Sequence, residues 1–250
     1  MRRGTGTELA ATLLCALAPS LAHADPPSVM LWAWERPEDL RFLPDGVGVA
    51  SLDATVDLTD RGARVMRRRQ PLLVREGQWR MAVVRVQSRP RGHALTPEAR
   101  AVIVDVVTSA SRREGVRGVQ IDYDAPASQR EAYRAMLTAL RSSLAPSMWL
   151  SITALASWCV GDRWLDEFAM PVDEVVPMVF TMGRGGAPVL DALRSRREMP
   201  SRACRQSVGW AVGEPTVTLR STRRTYVFNP APWREEDARR WYPSTVTRGR

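Results

Sequence analysis

The chain has 250 residues, 44% of them hydrophobic and 25% charged, an ordinary globular composition with room for one large domain or two small ones. Its formal charge of +9 raises the question of a nucleic-acid partner. Every basic residue is Arg, however, and apart from Arg67-Arg68-Arg69 they are scattered along the chain, which argues against a nucleic-acid face and for genome base composition.

The amino terminus reads as a processing segment. Arg2 and Arg3 form a positive start, 9–21 is an apolar run, and Ala22-His23-Ala24 is an A-x-A cleavage site. The sequence therefore predicts a signal peptide over 1–24 and an exported protein, periplasmic or secreted, with 25–250 as one domain. The apolar run is too short to span a membrane comfortably, and no later stretch could do so. Export leaves Cys159 and Cys204, for which an oxidising compartment favours a disulfide; two buried free thiols are the alternative. It also leaves His93 as the last histidine, expected to be solvated in a loop of Arg, Pro and Gly. A zinc site of two or three histidines is then impossible, no G-x-S-x-G elbow exists, and Gly183-Arg184-Gly185-Gly186 is too slight for a phosphate cradle. No metal or cofactor is expected.

In chain order, a first strand is predicted over 29–34, ending in W-A-W-E, then a short helical turn over 38–43 and a second strand over 46–52 ending at Asp53. The segment 56–79 lacks an amphipathic helix and reads as a β-hairpin or extended loop. A third strand covers 80–87. Thr96-Pro97-Glu98 starts a helix, with Thr as N-cap and Pro at its first position. The fourth strand is G-V-Q-I-D-Y-D-A-P, 118–126, whose alternation puts Gln120, Asp122 and Asp124 on one face. Three polar groups on one face of an apolar strand are costly unless they line a cleft or find partners. Ser128 and Glu131 read as a capping box for the next helix, 129–144, whose apolar face carries Tyr133, Leu137, Leu140 and Leu144. A fifth strand (149–155), a helix near 162–168, a sixth strand within 172–182, a helix over 188–197, a seventh strand (207–212) running out to Glu214, an eighth (225–228) ending at Asn229 and a closing helix (233–241) complete the chain. Eight strands with intervening helices predict a compact, imperfect α/β barrel of the (β/α)8 TIM type, with the second and seventh crossovers reduced.

Barrel chemistry sits at the carboxyl ends of the strands. The carboxylates expected there are Glu35, Asp53, Asp122, Asp124 and Glu214; the aromatics include Trp32, Trp34, Trp158, Phe180, Trp210, Tyr226, Phe228 and Trp233. Aromatic faces with a few acids suit a sugar, and a proton-giving carboxyl with a second carboxylate suits glycoside hydrolysis. On this reading Asp124 is the acid, Asp122 its support and Glu35 or Glu214 the second carboxylate. Trp32, Trp34, Gln120, Asp53, Trp158, Phe180, Trp210, Tyr226 and Asn229 would contact a carbohydrate ligand. The plainer readings are a strand-exit network for the two aspartates, a salt bridge with Arg36 or another surface Arg for Glu35, barrel core for the tryptophans and a turn before Pro230 for Asn229.

The run 118–126 resembles the fourth-strand signature G-x-D-I-D-W-E-Y-P of family-18 chitinase-like barrels. The resemblance implies that Asp124 stands at the catalytic glutamate, Asp122 at the aspartate that supports it and Gln120 at a further aspartate. The run P-M-V-F-T, 177–181, is similar to that family's M-x-Y-D strand, with Phe180 in place of tyrosine and Thr181 in place of aspartate. The runs W-A-W-E-R-P-E-D-L, V-Q-I-D-Y-D-A-P, S-W-C and V-D-E-V-V-P-M-V-F-T-M-G resemble a family of exported bacterial proteins, domain of unknown function 3142. That likeness implies a glycoside-hydrolase-like barrel, fits a structural Cys159–Cys204 bridge and carries no established activity; the alternative is a non-catalytic barrel that binds glycan or an envelope partner.

Overall fold

The computed structural model describes residues 25–88, 92–162, 164–167 and 169–242, so the expected leader, 1–24, lies outside the described residues. The first half runs β1 (Val29–Ala33), β2 (Glu38–Asp39), β3 (Val47–Thr59), β4 (Gly62–Arg67), β5 (Leu72–Leu73), β6 (Arg80–Gln87), α1 (Pro97–Ser111) and β7 (Val116–Asp122). The second runs α2 (Arg130–Ser143), β8 (Trp149–Leu155), α3 (Ala156–Val160), α4 (Trp164–Glu167), β9 (Glu174–Met178), α5 (Gly186–Arg196), β10 (Ser207–Ala211), β11 (Arg224–Phe228) and α6 (Glu235–Arg239).

Parallel pairing follows the order β1-β3-β6-β7-β8-β9-β10-β11, and β1 pairs with both β3 and β11, closing the barrel. Alternation along each strand divides the side chains. Outward residues such as Val119, Ile121, Ile152 and Val208 join Ile103, Val107, Leu137 and Leu140 of α1 and α2 in the outer core. Inward residues such as Met30, Trp32, Ala50, Met81, Val83, Val176 and Tyr226 fill the interior.

The amino-terminal end of the interior is closed by polar groups. Trp149, Glu174, Ser207 and Arg224 each open a strand. Glu174 accepts from the Ser207 hydroxyl, from Arg224 Nη1 (2.5 Å), from the Tyr226 hydroxyl (2.7 Å) and from Trp149 Nε1 (3.3 Å). Arg224 also donates to the Pro26 and Pro27 carbonyls, so the chain entering β1 seals this end.

The expected reductions are present. β3 and β4 form an antiparallel hairpin where the second crossover helix would lie, and no helix joins β10 to β11. Four expectations are corrected. Residues 38–43 are not a helical turn: Glu38 and Leu40 donate to the carbonyls of Pro71 and Leu73, so β2 pairs with β5. The second strand does not stop at Asp53 but continues to Thr59, because the hairpin supplies it with a partner. The capping box is not formed either. Ala127–Gln129 is a 3-10 turn, α2 begins after it, and no side chain caps it. Gln129 is drawn inward instead, bonding Leu95 N (2.8 Å), the Tyr123 hydroxyl (2.7 Å) and the His93 carbonyl (3.2 Å). The Thr96 cap on α1 forms as expected, with its hydroxyl accepting from Ala99 N. His93 is not solvated: its Nδ1 lies 2.8 Å from Asp60 and its side chain is 16% exposed. Cys159 and Cys204 are joined in a disulfide across 45 residues, tying α3 to the loop before β10.

Removing one member of a buried ion pair strands the other. Glu174→Ala is expected to lower the unfolding free energy by about 3–5 kcal/mol. Denaturant titration checks this, and a loss below about 1 kcal/mol, the scale of an exposed pair, would show that the plug is not structural.

Candidate functional site

β7 sets the axis of the site. Gly118, Gln120 and Asp122 point into the barrel, and a side chain at 118 would meet the Trp79 ring at 2.8 Å. Gln120 forms a fully buried middle layer: Trp32 Nε1 donates to its Oε1 (2.7 Å) and its Nε2 donates to Ser151 Oγ (3.0 Å). Trp32 can lie across the interior only because residue 209 is glycine, where a Cβ would sit 2.7 Å from its ring.

Above this floor a cavity of about 600 Å3 opens at the carboxyl ends of the strands. Asp122 and Asp124 line it, and they are the only carboxylates among its described lining residues. Trp32, Trp34, Phe180 and Phe228 form its aromatic wall. Phe180 stacks on Phe228 (centroids 5.6 Å, planes 15° apart), while Trp34 meets Phe228 edge-on at 6.2 Å. Asp122 accepts from the Thr153 hydroxyl at 2.8 Å, and Arg85 Nε stands 3.7 Å from its other oxygen. Arg85 is the strand partner of Asp122 across β6 and β7, and its guanidinium lies 5.8 Å from the Trp34 ring centre. Burial pushes the Asp122 carboxyl above its usual value; Thr153 and Arg85 oppose the rise, and the nearby Asp124 charge adds to it.

The other expected site residues are used elsewhere. Asp53 is not at the mouth. It lies at a bulge within β3, where Arg113 and Arg67 (3.4 Å) hold its carboxylate. Glu35 accepts the backbone N–H groups of Arg69 (2.9 Å) and Gln70 (3.1 Å), not a bond from Arg36, and so ties down the loop after the hairpin. Glu214 accepts from the Thr181 N–H at 3.0 and 3.1 Å. Thr181 lines the cavity with φ of 51°, an uncommon conformation for a β-branched residue, so Glu214 acts on the rim through backbone geometry. Gln120 is floor rather than lining. Trp158 packs edge-on against Trp164 at 5.3 Å, and Trp210 points outward into the outer core. Tyr226 is fully buried beneath Trp32, its hydroxyl pushed well above the usual tyrosine range by burial and by Glu174. The Asn229 side chain accepts from Ala231 N (3.0 Å), shaping the turn after β11.

Two contributors were missed, Arg85 and Thr153. The signal for Arg85 was present in M-A-V-V-R-V, where period 2 puts it on the same inward face as Met81 and Val83. Thr153 carries no such mark, since threonine is common in strands.

Fold and pocket together define a (β/α)8 barrel with a ligand-sized, aromatic, acid-bearing cavity at its carboxyl mouth. Residues 76–234 match the family described as Domain of unknown function (DUF3142), and the chain belongs to that family. Among solved structures, the chitinase domain of the spore coat protein CotE from Clostridium difficile matches at 17% identity and a TM-score of 0.42, covering 68% of this chain. This chain spans about half, 53%, of that one. No curated protein matches the sequence.

Since the folded state holds the Asp122 proton more tightly than the unfolded chain, stability falls as pH rises from the ordinary aspartate value through the folded one. Asp122→Asn removes that loss. The variant is expected to melt above the wild type at neutral pH, with the gain vanishing below about pH 4. Melting curves across pH check this; a gain that grew on acidification would reverse the sign.

Proposed function

We propose that the protein is an exported, glycoside-hydrolase-like barrel that acts on a polysaccharide, with Asp124 as proton donor and Asp122 as its support. The observation that carries this reading is the pair itself: two carboxylates, two residues apart, facing one cavity beneath an aromatic wall. Like charges so close do not both ionise easily, and Asp122 is already pushed toward its protonated form. A carboxyl shifted in that direction suits a site that must supply a proton to a glycosidic oxygen. Aromatic faces meet the C–H faces of sugar rings, and the Thr153 hydroxyl holds Asp122 in one orientation. The disulfide accords with export to an oxidising compartment.

A second reading, glycan or envelope binding without turnover, has its own observation. A glycosidase with two protein carboxylates needs them on either side of the bond. Four strands round the barrel from β7, β11 presents Phe228, and Glu35, Asp53 and Glu214 are bonded elsewhere.

One experiment separates the two. Purified protein is screened for reducing ends released from a panel of polysaccharides, and in parallel for binding. Asp124→Asn is expected to lower turnover about 100-fold or more while leaving the melting temperature close to that of the wild type. Turnover of the variant at the wild-type rate would remove Asp124 from the chemistry. Binding by the wild type with no product from any substrate would establish the second reading.

A further inference from the structure

We propose that the sugar held in this cavity carries a carboxylate and that Arg85 is the group that recognises it; the proposal rests on the glycan reading above. Arg85 is the one cationic side chain among the described residues lining the cavity. Its guanidinium makes no hydrogen bond to the described residues, and with its nearest acid, Asp122, it forms a loose ion pair at 3.7 Å. The more buried ion pairs close further, as Arg224 does on Glu174 at 2.5 Å and Arg141 on Asp173 at 3.0 Å, while the half-exposed Arg205 stands 3.7 Å from Glu198 as Arg85 does from Asp122. Arg85 is instead held by the Trp34 ring, with 40% of its side chain exposed. A guanidinium is a planar fork of donors that matches a carboxylate in two parallel bonds. Here the described residues leave the terminal donors unused, beside rings that would stack on the sugar bearing the anion.

The surroundings tolerate such an anion. Asp122 reaches Arg85 from below through Nε, which leaves the two terminal nitrogens for a ligand. The chain as a whole carries a formal charge of +9, which draws polyanions toward it and raises their rate of encounter. Among the sugars that carry the required group are uronic acids, with the carboxylate on the ring carbon chain, and lactyl-ether sugars such as muramic acid.

The test is calorimetric binding with matched pairs. Tri-galacturonate is compared with a neutral galacto-trisaccharide, and N-acetylmuramic acid with N-acetylglucosamine. At least one acidic member is expected to bind about tenfold more tightly than its neutral counterpart, the scale of one charge-assisted pair, and to weaken as salt rises. Whichever pair shows the difference identifies the source of the carboxylate. Arg85→Gln is expected to bring the acid-to-neutral ratio close to one, and Arg85→Lys to restore part of it, since lysine keeps the charge and loses the fork. Arg112→Gln removes the same charge at the exposed carboxyl end of α1 and is expected to leave the ratio as in the wild type. If neutral and acidic members bind equally, or Arg85→Gln leaves the ratio unchanged, the proposal falls and the glycan reading stands. If no sugar binds, both fall.

Discussion

Glu174 is the residue on which the barrel interior depends. Its carboxylate is 4% exposed at the foot of a closed ring of strands, where an unpaired charge would cost several kcal/mol. Every donor near it is turned toward it: a guanidinium, a serine and a tyrosine hydroxyl, and an indole N–H. Burial and the carboxylate together keep the Tyr226 hydroxyl protonated, so it remains a donor at any ordinary pH. The interior is thus built upward from a charge rather than filled with hydrocarbon alone. Polar layers recur above it: Gln120 with Ser151 and Trp32, then Asp122 with Thr153. Each layer has its hydrogen bonds met by neighbouring strands, which fixes their relative heights and gives the cavity a rigid floor.

Trp32 connects that floor to the rim. Its indole N–H is spent on Gln120, its ring passes over the glycine at 209, and its carbonyl accepts from Trp233 Nε1 (2.8 Å). Trp233 in turn is held by Glu38, which accepts its backbone N–H (2.9 Å), and Glu38 pairs with Arg36 at 2.6 Å. Arg36 and Arg68 donate to the backbone carbonyls that leave β1 and β11, including Trp34 O and Asn229 O, both at 2.5 Å. The charged residues of W-A-W-E-R-P-E therefore lock the seam where the barrel closes. Their effect on any ligand is indirect: they hold Trp34 and Phe228 in one arrangement before anything binds, and such preorganisation is what a positioned site requires.

The barrel was legible because its strands are short apolar runs with clear punctuation, and the disulfide because two cysteines remain outside the expected leader. The face of β7 was legible for the same reason, since period 2 names a face. It does not name a depth. Gln120 and Asp122 share that face, yet one lies under an indole and the other opens to solvent, a difference of one layer that only the register with β6 and β8 decides. The misplaced carboxylates have a related cause. Asp53, Glu35 and Glu214 stand near strand ends in the sequence, but their partners, Arg113, the Arg69 and Gln70 amides, and the Thr181 amide, are 33 to 60 residues away and meet them only in the folded chain. A chain with 36 basic residues and 27 acidic ones offers most carboxylates a structural partner, so the informative acid is one left facing a cavity.

Asp122 and Arg85 show how narrowly such a site is set. They are register partners on adjacent parallel strands, and the guanidinium opposes the rise that burial gives the carboxyl; a closer approach would oppose it more. Trp34 offers the cation a competing face, and Trp34 is itself fixed through its carbonyl by Arg68. The indole thus governs two properties together: the proton affinity of the acid below it and the availability of the cation beside it. An anion that drew Arg85 further from Asp122 would remove part of the opposition to that rise, so occupancy of the cavity would raise the proton affinity of Asp122. Replacing Trp34 with a small side chain would lose more than a wall, because Arg85 would be free to collapse onto Asp122 and quench both groups at once.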